Sequence, residues 1–497
     1  MADRVAADGK KKWTILIYFS TDNNLSEEGV FALKELKRVV GPDVNVFAQF
    51  DPVGRGNTTR RFHIRQANRS GSLGDEDVVA QLGETDMNDP KTLRDFLVAG
   101  ITRFREDTTN FMVILAGHGA GVNQGFFLRD EERRLSEIPS SFPLTNLKGQ
   151  VFNDPELVVA LGNKKIDILG FDACMMSMVE VCYELFDCPV LNLAVGSEGF
   201  SLNAGWPYHR IVEELEDSYL DPETLAEFIV KDHTEFYADY HLGGLSTDLS
   251  AVRLGRIPDL TRSIGELAQA LIRKFDGEAG GQPDESEDLP REPPRKYFYK
   301  LGGKDFQDAI ILTHWATQSY NGEQSVDLYD FCDLLQKRAH GFEGDIDFQN
   351  DPQSIYRHCA RVKNEIDKAV VLTCDVGAAF QFSRGISITF PWSLVNLAPQ
   401  YRTLRFSLEA NDWLKFLDVY VEATQRLPRR RPTVDFRSTP PYNRGPEGRI
   451  LSMRNAPTQF KEYVCGSEVG TPNRAAAKAH PTPTRASGKK VARKRKK

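Results

Sequence analysis

Two residues that could form a nucleophile and its base stand at the ends of apolar runs. Cys174 closes the run "IDILGFDAC" (166–174), and His118 closes "NFMVILAGH" (110–118). A thiolate can attack a carbonyl carbon, and an imidazole can take the thiol proton and later deliver it to a leaving amine. A structural interpretation is equally open, because buried cysteines often pack as small hydrophobes. The pair by itself does not separate catalysis from packing.

The neighbours of this pair suit the same chemistry. Gly119 follows His118, and its unhindered backbone amide is free to bind a developing oxyanion. The pattern "MSMVEVCYEL" (176–185) predicts a helix starting just after Cys174. The partial positive charge at that helix start would favour the thiolate.

Alternating strands and helices must position these residues. Continuous apolar runs predict buried strands at 12–20, 44–51, 110–118, 166–174 and 189–198, and amphipathic segments between them predict helices. This alternation indicates a mostly parallel sheet covered on both faces. Parallel strands deliver their carboxyl ends to one edge, so we expect His118 and Cys174 to meet there. Two later runs, 245–254 and 383–391, are predicted to extend the same sheet.

Composition and cysteine usage restrict the class of protein. The chain has 497 residues, 40% of them hydrophobic and 27% charged, with a mean hydropathy of −0.41, which is typical of a soluble globular protein. Seven cysteines without CxxC spacing argue against a disulfide framework or a zinc site. No signal peptide or membrane-spanning run is visible, so the sequence predicts a cytoplasmic protein.

Several segments resemble, in the same order, the clostripain family of cysteine peptidases. They are "WTILIYFSTDNNL" (13–25), "ILAGHGAG" (114–121), "GFDACMMSMVEVCYEL" (170–185), "GSEGFSLNAGWPY" (196–208) and "SRGISITFP" (383–391). The likeness extends over about residues 13–425. It implies the α/β fold shared with caspases, gingipains and legumains: a three-layer sandwich with a mostly parallel central sheet flanked by helices, plus a C-terminal α/β extension.

The resemblance also implies roles. Cys174 would be the nucleophile and His118 its general acid and base, with the amides of Gly119 and Cys174 forming the oxyanion hole. Clostripain-like members cleave after Arg or Lys through an acidic pocket, in which Asp172 would take part. A carboxylate can pair bidentately with a guanidinium, which agrees with that role. The alternative for Asp172 is to cap the following helix.

One departure from the family pattern affects specificity. The family commonly carries a second acidic residue before "GWPY", where this chain has Asn203 and Ala204. Glu198 is the candidate replacement or a wall residue of the pocket. A preference for basic residues is therefore expected, while a basic-plus-polar preference or a differently tuned pocket stays open.

The polar segment 128–150 is the candidate site of autocatalytic activation, since many relatives cut themselves between the histidine and the cysteine. Arg133 and Arg134 are the first candidates and Lys148 the second; the alternative is an ordinary solvated loop. Calcium is a candidate cofactor by resemblance. The acidic stretches lack the ligand spacing of a recognisable calcium loop, and no other metal site is predicted.

The predicted domain organisation has four parts. A disordered N-terminus (1–12) precedes the caspase-like catalytic domain (13–250). A C-terminal subdomain (251–430) packs on and extends the core, with a disordered loop at 276–296. An extended, basic, disordered tail (431–497) follows.

The tail suggests a further partner. Residues 471–497 contain ten Lys or Arg and no acidic residue, whereas the whole chain has a formal charge of −7. Such a tail can contact nucleic acid or acidic surfaces without sequence specificity. The main prediction is a cysteine endopeptidase acting on proteins or peptides. The alternative is a catalytically silent caspase-like binding or scaffold protein whose tail binds nucleic acid or acidic surfaces.

Overall fold

The computed structural model describes residues 11–54, 57–124, 142–238, 244–279, 306–320, 324–343, 347–394 and 397–426. All of them fall in the first of the two units into which the chain divides, Met1–Thr433. The basic tail, most of the 276–296 segment, Arg133 and Arg134 lie outside the described residues. The domain boundaries therefore stay predictions.

The strands form where the sequence is apolar on both faces. They are β1 (Lys11–Thr21), β2 (Val44–Pro52), β3 (Thr59–Ile64), β4 (Val78–Gly83), β5 (Thr108–Ala116), β6 (Ile166–Asp172), β7 (Leu191–Gly196), β8 (Thr247–Arg253), β9 (Ser319–Tyr320), β10 (Ser325–Asp327), β11 (Val370–Val376) and β12 (Ser387–Thr389).

Nine of the described strands form one twisted sheet in the order β11-β8-β7-β6-β5-β1-β2-β3-β4. The five central strands, β7 to β2 in that order, pair in parallel, while β8 and β11 at one edge and β3 and β4 at the other pair antiparallel. The run 245–254 joins this sheet as β8. The run 383–391 does not, because β12 belongs to a separate antiparallel sheet with β10 and β9.

The described helices are α1 (Ser26–Val39), α2 (Pro90–Phe104), α3 (Gly121–Gln124), α4 (Leu144–Asn146), α5 (Pro155–Leu161), α6 (Val179–Leu185), α7 (Tyr208–Asp217), α8 (Pro222–Tyr237), α9 (Ile257–Ala279), α10 (Phe306–Ala316), α11 (Leu328–Arg338), α12 (Ile355–Ala369), α13 (Arg405–Glu409) and α14 (Asp412–Arg426). Three of them start with an Asp-Pro pair in which the aspartate caps the first turn: Asp89, Asp154 and Asp221. Leu147–Phe152 forms a π-helical turn.

The helices cover both faces of the large sheet. Alternate residues of β1 point to opposite sides: Leu16 and Tyr18 pack with α2 and α5, whereas Ile15 and Ile17 pack with α1, α7 and α8. Two separate hydrophobic cores result, one on each face of the sheet. This α/β/α arrangement confirms the predicted three-layer fold class.

Candidate active site

The register of β5 and β6 brings His118 and Cys174 to the same rim of the sheet. Ala116, the last residue of β5, pairs with Asp172, the last residue of β6. The Gly117 amide extends the pairing by donating to the Asp172 carbonyl at 3.1 Å. His118 and Cys174 each lie two residues beyond this matched pair, and both side chains line one pocket. The other walls come from the end of β1, the start of α1 and residues 201–208.

Cys174 rests as a thiol. Burial is the main cause that raises its pKa, and the Asp172 carboxylate adds to the effect. Hydrogen bonding with the backbone of Ser201 and of Gly119 opposes this rise without reversing it. The Sγ atom lies 3.7 Å from the Ser201 carbonyl oxygen. A nucleophilic role for Cys174 would therefore require the loss of this proton.

The chain after Cys174 differs from the expectation. Met175 takes a left-handed conformation (φ 60°), which is strained for a residue with a side chain, and its amide donates to Gly199 O at 2.8 Å. Helix α6 starts only at Val179, so the prediction that it begins just after Cys174 is wrong. A turn, not a helix end, presents the sulfur. Because the helix starts five residues after Cys174, the expected stabilisation of a thiolate by the start of this helix does not apply.

His118 is held by a residue that the sequence did not single out. Its Nε2 atom lies 2.6 Å from Oδ1 of Asn24, in the link between β1 and α1. With the amide oxygen as acceptor, Nε2 carries the ring proton, and the other ring nitrogen keeps the lone pair that can accept a proton. The only sequence signal was the polar stretch "TDNN" (21–24) directly after a buried strand.

Gly119 packs directly against the nucleophile. A Cβ atom at this position would lie 2.3 Å from the Cys174 carbonyl oxygen and 2.9 Å from its nitrogen, so no larger residue fits. The Gly119 backbone also acts on the sulfur, since its hydrogen bond lowers the pKa of Cys174. Both predicted oxyanion donors, the amides of Gly119 and Cys174, therefore belong to adjacent stretches of backbone.

Asp172 lies in the wall of the same pocket. Its Oδ2 atom accepts hydrogen bonds from the Trp206 amide at 3.1 Å and the Tyr208 hydroxyl at 2.5 Å. Gly205 (φ 73°) permits this approach, because a Cβ atom there would lie 2.6 Å from Oδ2. Burial raises the pKa of Asp172 to about 6, against the lowering effect of these two hydrogen bonds. Asp172 does not cap α6, whose cap residue is Met178.

Glu198 lies outside this pocket, which corrects the expectation that it replaces a pocket carboxylate. Its side chain is fully buried, and Oε1 accepts a hydrogen bond from the Gly385 amide at 2.6 Å. Burial, and then the charges of Asp327 and Asp248, raise the pKa of Glu198 well above its ordinary value. The residues at the position of the missing family acid, Asn203 and Ala204, do line the pocket.

Lys148 lies in an ordered helical turn, unlike the flexible loop that self-cleavage requires. Its Nζ atom pairs with Asp187 Oδ2 at 2.5 Å, and Arg405 pairs with the same carboxylate at 3.0 Å. A peptidase cleft binds an extended strand, so cutting at Lys148 would first require this turn to unfold.

Neither a cluster of metal-binding side chains nor a membrane-spanning helix is found among the described residues. Within them, no group of three or more His, Cys, Asp or Glu side chains is arranged to hold a metal ion, so they do not fit a calcium site. Calcium dependence stays a prediction, and no step of the mechanism below uses it. None of the described helices combines the length and hydrophobicity needed to cross a bilayer.

Comparisons with known proteins agree with this geometry. The sequence model of the clostripain family matches residues 17–413. The chain belongs to the clostripain family of cysteine peptidases. Clostripain from Hathewaya histolytica is 22% identical over 377 residues, an alignment that spans 66% of this chain and 66% of clostripain's own length.

Solved structures show the same fold. A secreted C11 cysteine protease from Bacteroides thetaiotaomicron, in complex with an irreversible peptide inhibitor, matches with a TM-score of 0.54 and 16% identity, covering 81% of this chain and 99% of that structure. An inactive zymogen C11 protease from Parabacteroides distasonis matches with a TM-score of 0.44 and 17% identity, covering 83% of this chain and 97% of that structure.

These matches confirm the predicted family, the caspase-like fold and the enzyme class of cysteine peptidase. They contradict the predicted cytoplasmic location, because the matched Bacteroides protease is described as secreted.

Proposed function

We propose that this protein is an endopeptidase that hydrolyses peptide bonds after Arg or Lys, with Cys174 as nucleophile and His118 as general acid and base. The observation that carries the proposal is the matched register of β5 and β6, which puts both residues in one pocket beside the Asp172 carboxylate. Substrates would be proteins or peptides with an accessible basic residue.

Acylation starts with proton transfer. His118 takes the proton from Sγ as the sulfur attacks the carbonyl carbon of the scissile bond, and the carbonyl oxygen becomes an oxyanion bound by the Gly119 and Cys174 amides. The C–N bond then breaks, and His118 gives its proton to the departing amine. A thioester links Cys174 to the acyl half of the substrate.

Deacylation repeats the sequence with water. His118 takes a proton from a water molecule, the resulting oxygen attacks the thioester carbon, and the C–S bond breaks to release the carboxylic acid and restore the thiol. Because burial raises the pKa of Cys174, the imidazole must accept the proton as the sulfur attacks. The Asn24 contact supports this role by orienting the ring.

The pocket chemistry supports a basic residue at the cleaved bond. Phe19, Leu25 and Leu202 offer apolar surface for the aliphatic stem of Arg or Lys. Asp172 offers a carboxylate for the cationic head, and an ionised partner strengthens such hydrogen bonds.

A preference for Arg or Lys also predicts self-cleavage within the segment 128–150. Lys148 is held in a helical turn by Asp187, so Arg133 and Arg134 are the better candidates. Intact mass spectrometry of the wild type against Cys174→Ala tests this. In the wild type alone we expect two fragments, divided after one of these arginines, whose masses sum to that of the intact chain plus one water; identical intact masses would exclude self-cleavage.

Fluorogenic peptides that differ only in the residue before the cleaved bond test the main proposal. Arg and Lys peptides should be hydrolysed much faster than citrulline and norleucine peptides, and a thiol-alkylating agent or Cys174→Ala should abolish turnover. No alkylation-sensitive turnover under reducing conditions, with or without added calcium, would overturn the proposal and favour a scaffold protein. Retention on DNA that disappears on deleting 471–497 would assign the tail a separate binding role.

A further inference from the structure

Glu28, in the first turn of α1, carries a feature that its position in a helix does not require. Its side chain lines the pocket that holds His118, Asp172 and Cys174. Its Oε2 atom is buried and has no hydrogen-bond partner within the residues that the structure describes. Buried carboxylate oxygens are normally paired, because removing a charge from water without compensation is costly.

An ordinary explanation exists for acidic residues at this point of a helix. Glu27 and Glu28 both lie in the first turn of α1, where the helix dipole favours negative charge. Glu27 fits that explanation, since it is exposed to solvent. The half-buried side chain of Glu28 lines the pocket instead, and the helix dipole does not explain an oxygen that is both buried and without a partner among the described residues.

The charge of the pocket indicates what would pair with Glu28. Among the described residues that line it, the carboxylates are Asp172 and Glu28, and none is a lysine or an arginine. Apolar walls from Phe19, Leu25 and Leu202 complete the space. This combination suits an elongated ligand with an apolar stem and a cationic end.

Asp172 cannot satisfy such a cation alone. Its Oδ2 atom already accepts two hydrogen bonds, from the Trp206 amide and the Tyr208 hydroxyl, which leaves Oδ1 as the main acceptor for a ligand. A guanidinium group carries five N–H donors and an ammonium group three. A second carboxylate in the pocket would supply the missing acceptors.

We propose that Glu28 is the second specificity carboxylate of the pocket and binds the cationic head of the Arg or Lys side chain that precedes the cleaved bond. Asn203 and Ala204 carry no charge and cannot fill this role. Glu28 fills it from helix α1, a different element of the fold. This inference rests on the proposed function, since it specifies a substrate contact of the same site.

Arg should depend on Glu28 more than Lys, because the guanidinium has more donors to satisfy. Losing a charge-assisted hydrogen bond of this kind corresponds to about a tenfold change. We expect Glu28→Gln to lower kcat/KM about tenfold for an Arg peptide and less for a Lys peptide. The change should lie mainly in KM, and the citrulline and norleucine peptides should show no loss.

The matched control is Glu27→Gln, which removes the same charge from the same helical turn outside the pocket. It should leave the ratio of Arg to citrulline hydrolysis as in the wild type. Equal effects of the two variants would mean that Glu28 acts through the general field of the helix, and this would overturn the inference. Thermal melting of both variants checks that neither substitution unfolds the protein.

A binding measurement separates this inference from the proposed chemistry. In the full-length Cys174→Ala protein, calorimetry measures the affinity for a peptide that ends in Arg and for its citrulline analogue. Adding Glu28→Gln should weaken Arg-peptide binding about tenfold, and adding Glu27→Gln should not. If the Arg peptide binds more tightly than its citrulline analogue and Glu28→Gln changes neither affinity, the role of Glu28 is excluded while the preference for basic residues stands. If the protein binds the Arg peptide and its citrulline analogue equally, and the wild type hydrolyses neither, the proposed function fails, and the inference fails with it.

Discussion

Asp172 and Glu198 are two buried carboxylates that flank the same stretch of chain, yet their surroundings differ. Asp172 keeps 8% of its surface exposed, toward a pocket lined by the nucleophile, whereas Glu198 is fully buried. Asp172 is hydrogen-bonded by an amide and a hydroxyl, while Glu198 lies beside two further carboxyl groups, Asp248 and Asp327. The two side chains therefore differ in their neighbours and in their access to the pocket, and not in burial alone.

The carboxyl cluster of Glu198, Asp248 and Asp327 has a structural task. Asp248 accepts hydrogen bonds from the amides of Glu198 and Gly199 at 2.7 and 2.9 Å, which anchors the segment that follows β7. Asp327 caps α11 and accepts from the Arg384 amide. The cluster thus connects the segment leading to Ser201, which contacts the nucleophile, with the small antiparallel sheet.

The largest expected effect separates the two carboxylates by function. Asp172→Asn should lower kcat/KM for an Arg peptide about a hundredfold, because a buried cation would lose its charged partner. Glu198→Gln should leave the ratio of Arg to citrulline hydrolysis unchanged, because its side chain does not reach the pocket. Steady-state kinetics on the two peptides measures both variants. A loss of Arg preference in Glu198→Gln would show that the cluster shapes specificity after all.

The next effect separates chemistry from specificity. Asn24→Ala should lower kcat roughly thirtyfold for every substrate and leave KM and the Arg preference nearly unchanged, because it removes the contact that orients His118 and not a pocket wall. Asn24→Asp keeps an acceptor oxygen and should retain more activity, with an altered pH profile. An equal loss in both variants, with lowered thermal stability, would mean that Asn24 only maintains the fold.

The pH dependence follows from the pKa of Asp172. Burial raises that pKa to about 6, so the carboxyl is mostly protonated at pH 5 and mostly ionised at pH 7. Because only the ionised form attracts a cation, the ratio of kcat/KM for an Arg peptide to that for a citrulline peptide should rise roughly tenfold from pH 5 to pH 7, while the base His118 acts on both peptides alike. The same profile measured with Asp172→Asn should lack this rise. A rise that persists in the variant would assign it to another group.

Sequence reasoning succeeded where the signal was local. The apolar runs that end in His118 and Cys174 fix which strands are buried and where they stop, and equal offsets from Ala116 and Asp172 follow once these strands pair. It failed where the outcome depended on a neighbouring element. The missing acid before "GWPY" suggested Glu198 for the pocket, although that side chain packs against Gly385, nearly two hundred residues away.

Two residues at the start of α1 were missed for the same reason. The stretch "TDNNLSEE" (21–28) has the composition of an ordinary helix start, and nothing in it shows that Asn24 and Glu28 face the site. The packing of α1 beside β1 determines which of these side chains face the site, and such a tertiary contact cannot be read from a local sequence pattern. The false prediction of a helix directly after Cys174 arose because the periodicity of 176–185 does not reveal the left-handed turn at Met175.

The smallest expected effect is on stability and returns to the buried cluster. Folding raises the pKa of Glu198 well above its ordinary value and that of Asp248 to about 7, so the folded protein holds protons that the unfolded chain releases above about pH 4. The free energy of unfolding should therefore fall as pH rises from 4 to 7.

The variant Glu198→Gln tests this. It keeps the shape of the side chain and a hydrogen-bond donor for Asp327, but it needs no retained proton. It should be more stable than the wild type at pH 8, on the order of 2 kcal/mol, and similar at pH 4, as measured by denaturant unfolding. Glu198→Ala, which leaves Asp327 and the Gly385 amide without their partner, should be less stable at both pH values. A stability difference between Glu198→Gln and the wild type that does not change with pH would mean that the cluster holds no extra proton.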